Sequence, residues 1–217
     1  MPRRRDVLYA GLAGAAVAAR RPAVAATAVA PALPPDVFVA RVAQDVLDAV
    51  FTADPDRRLA ELVRQHVDLR YAARFALGRY WGALSPRGRS DYLDAYQAFS
   101  LAVLPERILR HLDPRKARLL FGGPFDAAMV LQPAGPVRQG ARDVVVPTVL
   151  TLPVGDPTLL EWRLRAAGRD WKLIDLAVDK SSQALVARAG IEGAVAAGGG
   201  DPVVIVPWLR ARIAASR

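Results

Sequence analysis

Along this chain the spacing of apolar residues changes twice, and no single class of secondary structure satisfies it from end to end. Val39, Val42, Ala43, Val46, Leu47 and Val50 recur at intervals of three and four, the repeat of an amphipathic helix, with Asp36 ahead of them as a candidate N-cap. Asp54-Pro55 and Ser85-Pro86 each join a capping residue to a proline at the first helical position, where its missing N–H costs nothing. Leu59, Leu62 and Val63 share a face of the first of these helices. Asp68 precedes a third segment, Leu69, Ala72, Ala73 and Ala76, which closes near Gly78. The stripe Tyr92, Ala95, Tyr96, Phe99 and Val103 predicts a longer helix after Ser85. Pro105 is expected to interrupt or kink it before Ile108, Leu109 and Leu112 continue the apolar face.

In the middle of the chain the period falls to two. Strands are predicted over 125–131, 142–152, 159–167 and 170–178, with Gly/Pro-bearing turns between them. Leu160, Trp162 and Leu164 alternate with Glu161, Arg163 and Arg165, so this strand has one dry and one wet face. Ala167-Gly168-Arg169 predicts a tight hairpin. Helical spacing returns after Ser181 or Ser182, through Leu185 and Ile191, and Gly198-Gly199-Gly200 breaks it. Asp201-Pro202 then opens a last helix with Leu209 and Ile213, in which Pro207 predicts a kink. Helices, a curved antiparallel sheet of about four strands, then helices again place the chain in the α+β class, as one domain over residues 36–217.

What precedes that domain reads as an address. Arg3-Arg4-Arg5 is followed by an uncharged stretch, Val7 to Ala19, too short to span a bilayer. Ala23-Val24-Ala25 is an A-x-A cleavage site, with Ala26-Thr27-Ala28 a second one. Arg4-Arg5-Asp6-Val7-Leu8 resembles the twin-arginine export pattern; an arginine-rich ordinary secretory signal is the other reading. Residues 1–25 are therefore expected to be a cleaved export signal and residues 26–35 a proline-rich leader, which sends the working protein to the periplasm.

The net charge of +9 and the pI near 10.7 raise nucleic-acid binding as a class. Removal of residues 1–25 takes away five arginines and one aspartate and leaves +5, with both signs interspersed and no basic run. A mixed, solvated surface explains that distribution, and a mild positive surface also suits anionic headgroups. The chain lacks cysteine, which excludes disulfides, thiolate metal sites and cysteine nucleophiles. His66 and His111 stand alone, without HExxH or paired-His spacing, and read as structural rather than metal-binding. P-loop, GxGxxG and GxSxG motifs are missing. Asp175, inside the apolar run Leu173 to Val178, is either a structural acceptor or a buried general base. Much apolar surface and little chemistry point to binding of an apolar ligand, although such stripes also simply make a core.

Three stretches carry a resemblance. Leu77-Gly78-Arg79-Tyr80-Trp81, Leu84-Ser85-Pro86 and the run Tyr92 to Phe99 are similar to the helical segment of the MlaC-like family, the periplasmic phospholipid-shuttle or toluene-tolerance proteins. The runs Asp143 to Val146, Leu160 to Leu164 and Asp170 to Asp175 resemble that family's sheet, and the likeness continues through Val186-Ala187-Arg188 and Asp201-Pro202. It spans roughly residues 36 to 212 and rests on the ordered set rather than on one motif. A hopanoid-associated, HpnM-like branch is similar too. The chain departs from the family at Asp179-Lys180-Ser181, where Gly-[Val/Ile]-Ser is common, at Ala187, where an aromatic precedes the arginine, and at Pro207.

The resemblance implies an NTF2-like fold with a deep apolar pocket, no cofactor, and a bound phospholipid as ligand. It implies a monomeric carrier, not an enzyme, moving phospholipid between an inner-membrane ABC transporter complex with its MCE-domain ring and an outer-membrane lipoprotein–porin complex. Two sixteen-carbon tails in water would cost on the order of 20–25 kcal/mol, so a soluble carrier must enclose them. The expected lining is Phe75, Leu77, Tyr80, Trp81, Tyr96, Phe99 and Val103 from the helices, with Val145, Val149, Leu160, Trp162, Leu164 and Leu173 from the sheet. Two rival readings are an NTF2-like enzyme with Asp175 as base and a nucleic-acid binder; export argues against the second.

Overall fold

The computed structural model describes residues 31–124, 126–152 and 155–215, so the export signal expected over residues 1–25 lies outside the described residues. Seven α-helices and six strands follow one another as α1 (Pro35–Val50), α2 (Pro55–His66), α3 (Leu69–Leu77), α4 (Pro86–His111), α5 (Pro114–Phe121), β1 (Leu131–Pro133), β2 (Arg138–Gln139), β3 (Asp143–Leu150), β4 (Thr158–Ala167), β5 (Asp170–Val178), β6 (Ser181–Ser182), α6 (Gln183–Ala197) and α7 (Ile205–Ala215). This is the expected α+β order, with six strands where about four were expected: three long ones and three short edge pieces.

Helix starts follow capping chemistry. The side chains of Asp54, Asp68 and Ser85 accept from the backbone N–H of Arg57, Tyr71 and Gly88, each satisfying a donor that the helix cannot. Asp113-Pro114 repeats the device and starts α5, a helix the apolar spacing does not announce. The first helix begins differently from expectation. Pro34 is its N-cap, Pro35 its first residue, and Asp36 sits in the first turn, where its charge faces the positive end of the helix dipole. Helix α4 runs on through Pro105, which is buried, so the expected interruption is not observed. At the C-terminus Asp201 caps a short 3-10 turn, Pro202–Val204, and α7 starts only at Ile205. Pro207 thus falls in the first turn of α7, where a missing N–H breaks no helical bond, and the expected mid-helix kink has no cause.

The sheet is antiparallel, in the order β1-β3-β4-β5-β6, with β2 also paired to β3. Strands β1 and β2 share one edge of β3: Leu131–Pro133 lie opposite Thr148–Leu150, and Arg138–Gln139 opposite Val144–Val145. Pro133 and Pro136 lie in and between them, and a residue without an N–H is tolerated at an edge but cannot continue a ladder. The expected strand over 125–131 is largely a 3-10 turn, Ala127–Met129, because the Asp126 side chain accepts from Ala128 N–H; Phe125 lies outside the described residues. Strand β3 ends at Leu150, two residues short of the expected limit. The hairpin between β4 and β5 closes over Gly168 and Arg169, with Gly168 at φ +65°, as a two-residue loop led by glycine requires.

The apolar residues do not form one core. Leu77, Tyr92, Tyr96, Ile191, Val195, Ile205 and Leu209 gather from α3, α4, α6 and α7 into a helical cluster. Phe38, Val39 and Val42 of α1 pack instead on Val144, Val146, Trp162 and Leu164 of the sheet. No residue of α2 to α7 belongs to that second cluster.

Candidate functional site

Register decides which sheet residues share a surface. Val146 lies opposite Trp162, and Val144 opposite Leu164, so these four share one face, and α1 covers it. Buried Trp162 donates its indole N–H to the Thr148 hydroxyl, 3.0 Å away, which removes the one polar cost of placing that ring inside. Across β4 and β5 the register shifts between Arg163 and Leu164: Arg163 faces Asp175, whereas Leu164 faces Leu173. Ile174 is the residue left over, buried in a bulge that bends the strand. Val145 and Val149 lie opposite Arg163 and Leu159, on the face away from Trp162.

The thirteen expected lining residues are therefore not brought together. Leu160, Trp162, Leu164 and Leu173 form part of the sheet cluster. Leu77, Tyr80, Trp81, Tyr96 and Phe99 belong to or pack on the helical one. Val103 is buried in α4, and Phe75 is half-buried, stacked on Tyr71 with the Arg188 guanidinium 5.4 Å from its ring centre. Side chains on the Arg163 face of the sheet reach the helical elements: Arg165 lies over Tyr71 at 4.3 Å, and Lys172 donates to the Gln65 carbonyl.

Two clefts open at the surface. One, of about 740 Å3, runs between α1, the 127–129 turn and β1, lined by Ala40, Gln44, Asp48, Asp126 and Leu131–Pro133 among others. None of the thirteen lines it, although Leu131 packs on the sheet cluster and so connects the two. The other, of about 580 Å3, is lined by Arg70, Arg74 and Arg89 around Trp81, which alone of the thirteen lies there. Sequence reasoning missed the first cleft because its walls are mostly small and polar residues, drawn from α1, a turn and an edge strand, and no apolar stripe marks them.

Asp175 accepts from the Ser182 hydroxyl at 2.6 Å and from the Ala184 N–H at 3.0 Å, which ties β5 to the start of α6. Its position is that of the structural acceptor. Tyr92 donates to the Ala73 carbonyl at 2.8 Å, and burial raises its pKa far above the usual phenol value. Burial likewise pushes Tyr96 up to about 12, with Arg107 opposing. His66 stands with its Nε2 buried and without a hydrogen-bond partner, 3.8 Å from an Asp45 oxygen and edge-on to Phe38. Burial lowers its pKa, and Asp45 only partly offsets that. Exposed His111 turns Nδ1 to the Arg107 carbonyl at 2.8 Å. Among the described residues no group of three His, Asp or Glu side chains is placed to hold a metal ion. No single described helix is long and apolar enough to cross a membrane.

The model of the MlaC protein family matches residues 40–204. No curated protein matches the chain. Among solved structures, the fold resembles that of the phospholipid-binding protein from Ralstonia solanacearum, described in complex with a phospholipid. The TM-score is 0.61 at 20% identity, and the likeness covers 83% of this chain and 97% of that one.

Proposed function

This chain belongs to the MlaC protein family, and from that premise we propose that it binds a phospholipid and carries it, as a binding protein and not as an enzyme. The observation that carries this reading is the family match over residues 40–204, supported by a fold shared with a phospholipid-binding protein. The finer role we propose is that of a monomeric, NTF2-like periplasmic shuttle, exported through the signal in residues 1–25. It takes lipid from an inner-membrane ABC transporter complex and delivers it to an outer-membrane lipoprotein–porin complex, or the reverse.

The tails are placed, in this proposal, on the Trp162 face of the sheet. Leu160, Trp162, Leu164 and Leu173 are the part of the expected lining that shares one face. The 740 Å3 cleft beside α1 meets that cluster at Leu131 and is the entry. Cargo loads by lifting α1 from the sheet, exchanging contacts of Phe38, Val39 and Val42 for acyl chain. Hydrocarbon replaces hydrocarbon, so little free energy separates the empty from the loaded state, as a carrier that must also release requires. The helical cluster with Leu77, Tyr92 and Tyr96 stays packed as the frame.

Organic-solvent extraction of the purified protein followed by mass spectrometry tests the reading. A phospholipid co-purifies, or exchanges in from vesicles; if no amphiphile does either, the carrier function is rejected. Loading with a phospholipid brominated in its tails locates the site. Fluorescence quenching is expected to be largely lost in Trp162→Phe/Trp171→Phe, which removes both tryptophans at the sheet cluster, and kept in Trp81→Phe/Trp208→Phe; the opposite pattern moves the tails to the helical cluster.

A further inference from the structure

Helix α5 is attached to the body by few side chains and turns an apolar, cationic surface outward. Phe121 and Leu112, at its two ends, pack on the cluster of Leu47, Ala127 and Val130, and the Arg118 guanidinium lies 5.6 Å from the ring centre of Phe51. On a helical wheel Leu119 falls nearly opposite Phe121, flanked by Arg115 and Lys116. It is 86% exposed, and Leu120 is 45% exposed. The 127–129 turn packs on the same cluster through Ala127 and leaves Met129 66% exposed.

The charge beside these residues is mostly positive. Between residues 106 and 118 stand Arg107, Arg110, Arg115, Lys116 and Arg118 against Glu106 and Asp113 only. Glu106 pairs with Arg110, and Asp113 is occupied by the N–H groups of Arg115 and Lys116 as the helix cap. Among the described residues Arg115 and Lys116 form no ion pair. A leucine held out by a helix is a poor use of apolar surface in water, and cations beside it oppose burial against a dry protein surface unless each is paired. Both features fit a bilayer interface, where the leucine enters the acyl boundary and the cations stay among anionic headgroups.

We propose that α5 is a docking surface for a membrane carrying anionic lipid, with Leu119 as the inserted residue and Arg115 and Lys116 as the electrostatic contact. Docking holds the protein at the bilayer while leaving the 740 Å3 cleft, lined by the neighbouring Pro124, Asp126, Ala127 and Ala128, beside the lipid surface. Each interfacial cation is worth about a fivefold gain in partition, so the attachment is weak, reversible and lost in salt.

Flotation of the purified protein with vesicles of seven parts phosphatidylcholine to three parts phosphatidylglycerol tests this. The protein is expected to float with them at low salt and to stay behind with pure phosphatidylcholine. Leu119→Asp and the double variant Arg115→Glu/Lys116→Glu should each lower partition about tenfold or more. Both sites are exposed, so far-UV circular dichroism, Tm and any co-purifying lipid should be unchanged, which keeps this test separate from that of the carrier reading. Failure of the wild type to float, equal binding to neutral vesicles, or binding indifferent to both variants overturns the proposal. So does a variant that loses a protein partner while it keeps the vesicles.

Discussion

The Arg188 side chain of α6 lies where a side chain on Gly78 would begin. A β-carbon built there falls on the guanidinium, with Cζ at 2.9 Å, and Gly78 holds φ +54°, a conformation that L-residues avoid. This glycine ends α3 in a conformation that resists a side chain, with the movable end of Arg188 lying over it. Gly78→Ala should lower stability by about 2 kcal/mol, from backbone strain and from displacing Arg188. Combining it with Arg188→Ala removes the clash but not the strain, so chemical denaturation of the double variant should still show most of the loss beyond Arg188→Ala alone.

Asp175 supplies a second test. Its two oxygens accept from Ser182 and from Ala184 N–H. Asp175→Ala leaves those donors at the head of α6 unpaired and should cost about 2–3 kcal/mol in urea unfolding. Co-purified lipid should remain. Loss of a catalytic turnover with unchanged stability would favour the general-base reading instead.

The turn between β5 and β6 is strained by its sequence. Asp179 and Lys180 both take positive φ, +46° and +68°, between the paired Val178 and Ser181. Such a two-residue turn favours Asp-Gly, and Asp179 does fit, its carboxylate accepting from Leu159 N–H. Lys180→Gly should therefore raise stability by about 0.5–1 kcal/mol, read as a higher Tm, despite the entropy glycine adds to the unfolded chain.

Stability should also depend on pH through His66. Its folded pKa is lowered by burial, so the unfolded chain takes up a proton more readily than the folded one. Well above the ordinary value of 6.5 both states are neutral and this dependence is absent; as pH falls through that value and towards the lower folded pKa, stability is lost. His66→Phe, beside Phe38, should flatten this part of the Tm–pH curve; an unchanged slope between pH 7 and 5 would assign it elsewhere.

Helix starts were legible at Asp54-Pro55 and Ser85-Pro86, where a cap meets a proline, since that chemistry is local; Asp201-Pro202 opens a 3-10 turn and α7 starts after it. Asp113-Pro114 is the same signal, hidden because α5 is only eight residues long and its apolar residues crowd into its last turn. Faces of strands were legible where polar residues alternate, as in Leu160 to Arg165. They were not in the apolar run Val144 to Val146, where either face reads alike and only pairing to β4 separates Val145 from its neighbours. The separation of the helical cluster from the sheet cluster was invisible for a related reason: stripes on α1 and α4 look equivalent, and which one meets the sheet is a matter of long-range packing.

Strand β5 is held from more directions than its neighbours. It pairs with β4 along its whole length, its Leu173 carbonyl accepts from Asp68 N–H ahead of α3, and Asp175 fastens it to α6. Local opening there must break several elements at once, whereas β1 and β2 can detach by losing a few edge bonds. In deuterated water the central amides of β4 and β5 should thus retain their protons longest, and the β1–β2 rim should label first, giving the molecule a slow spine and a quick margin on opposite sides of the same sheet.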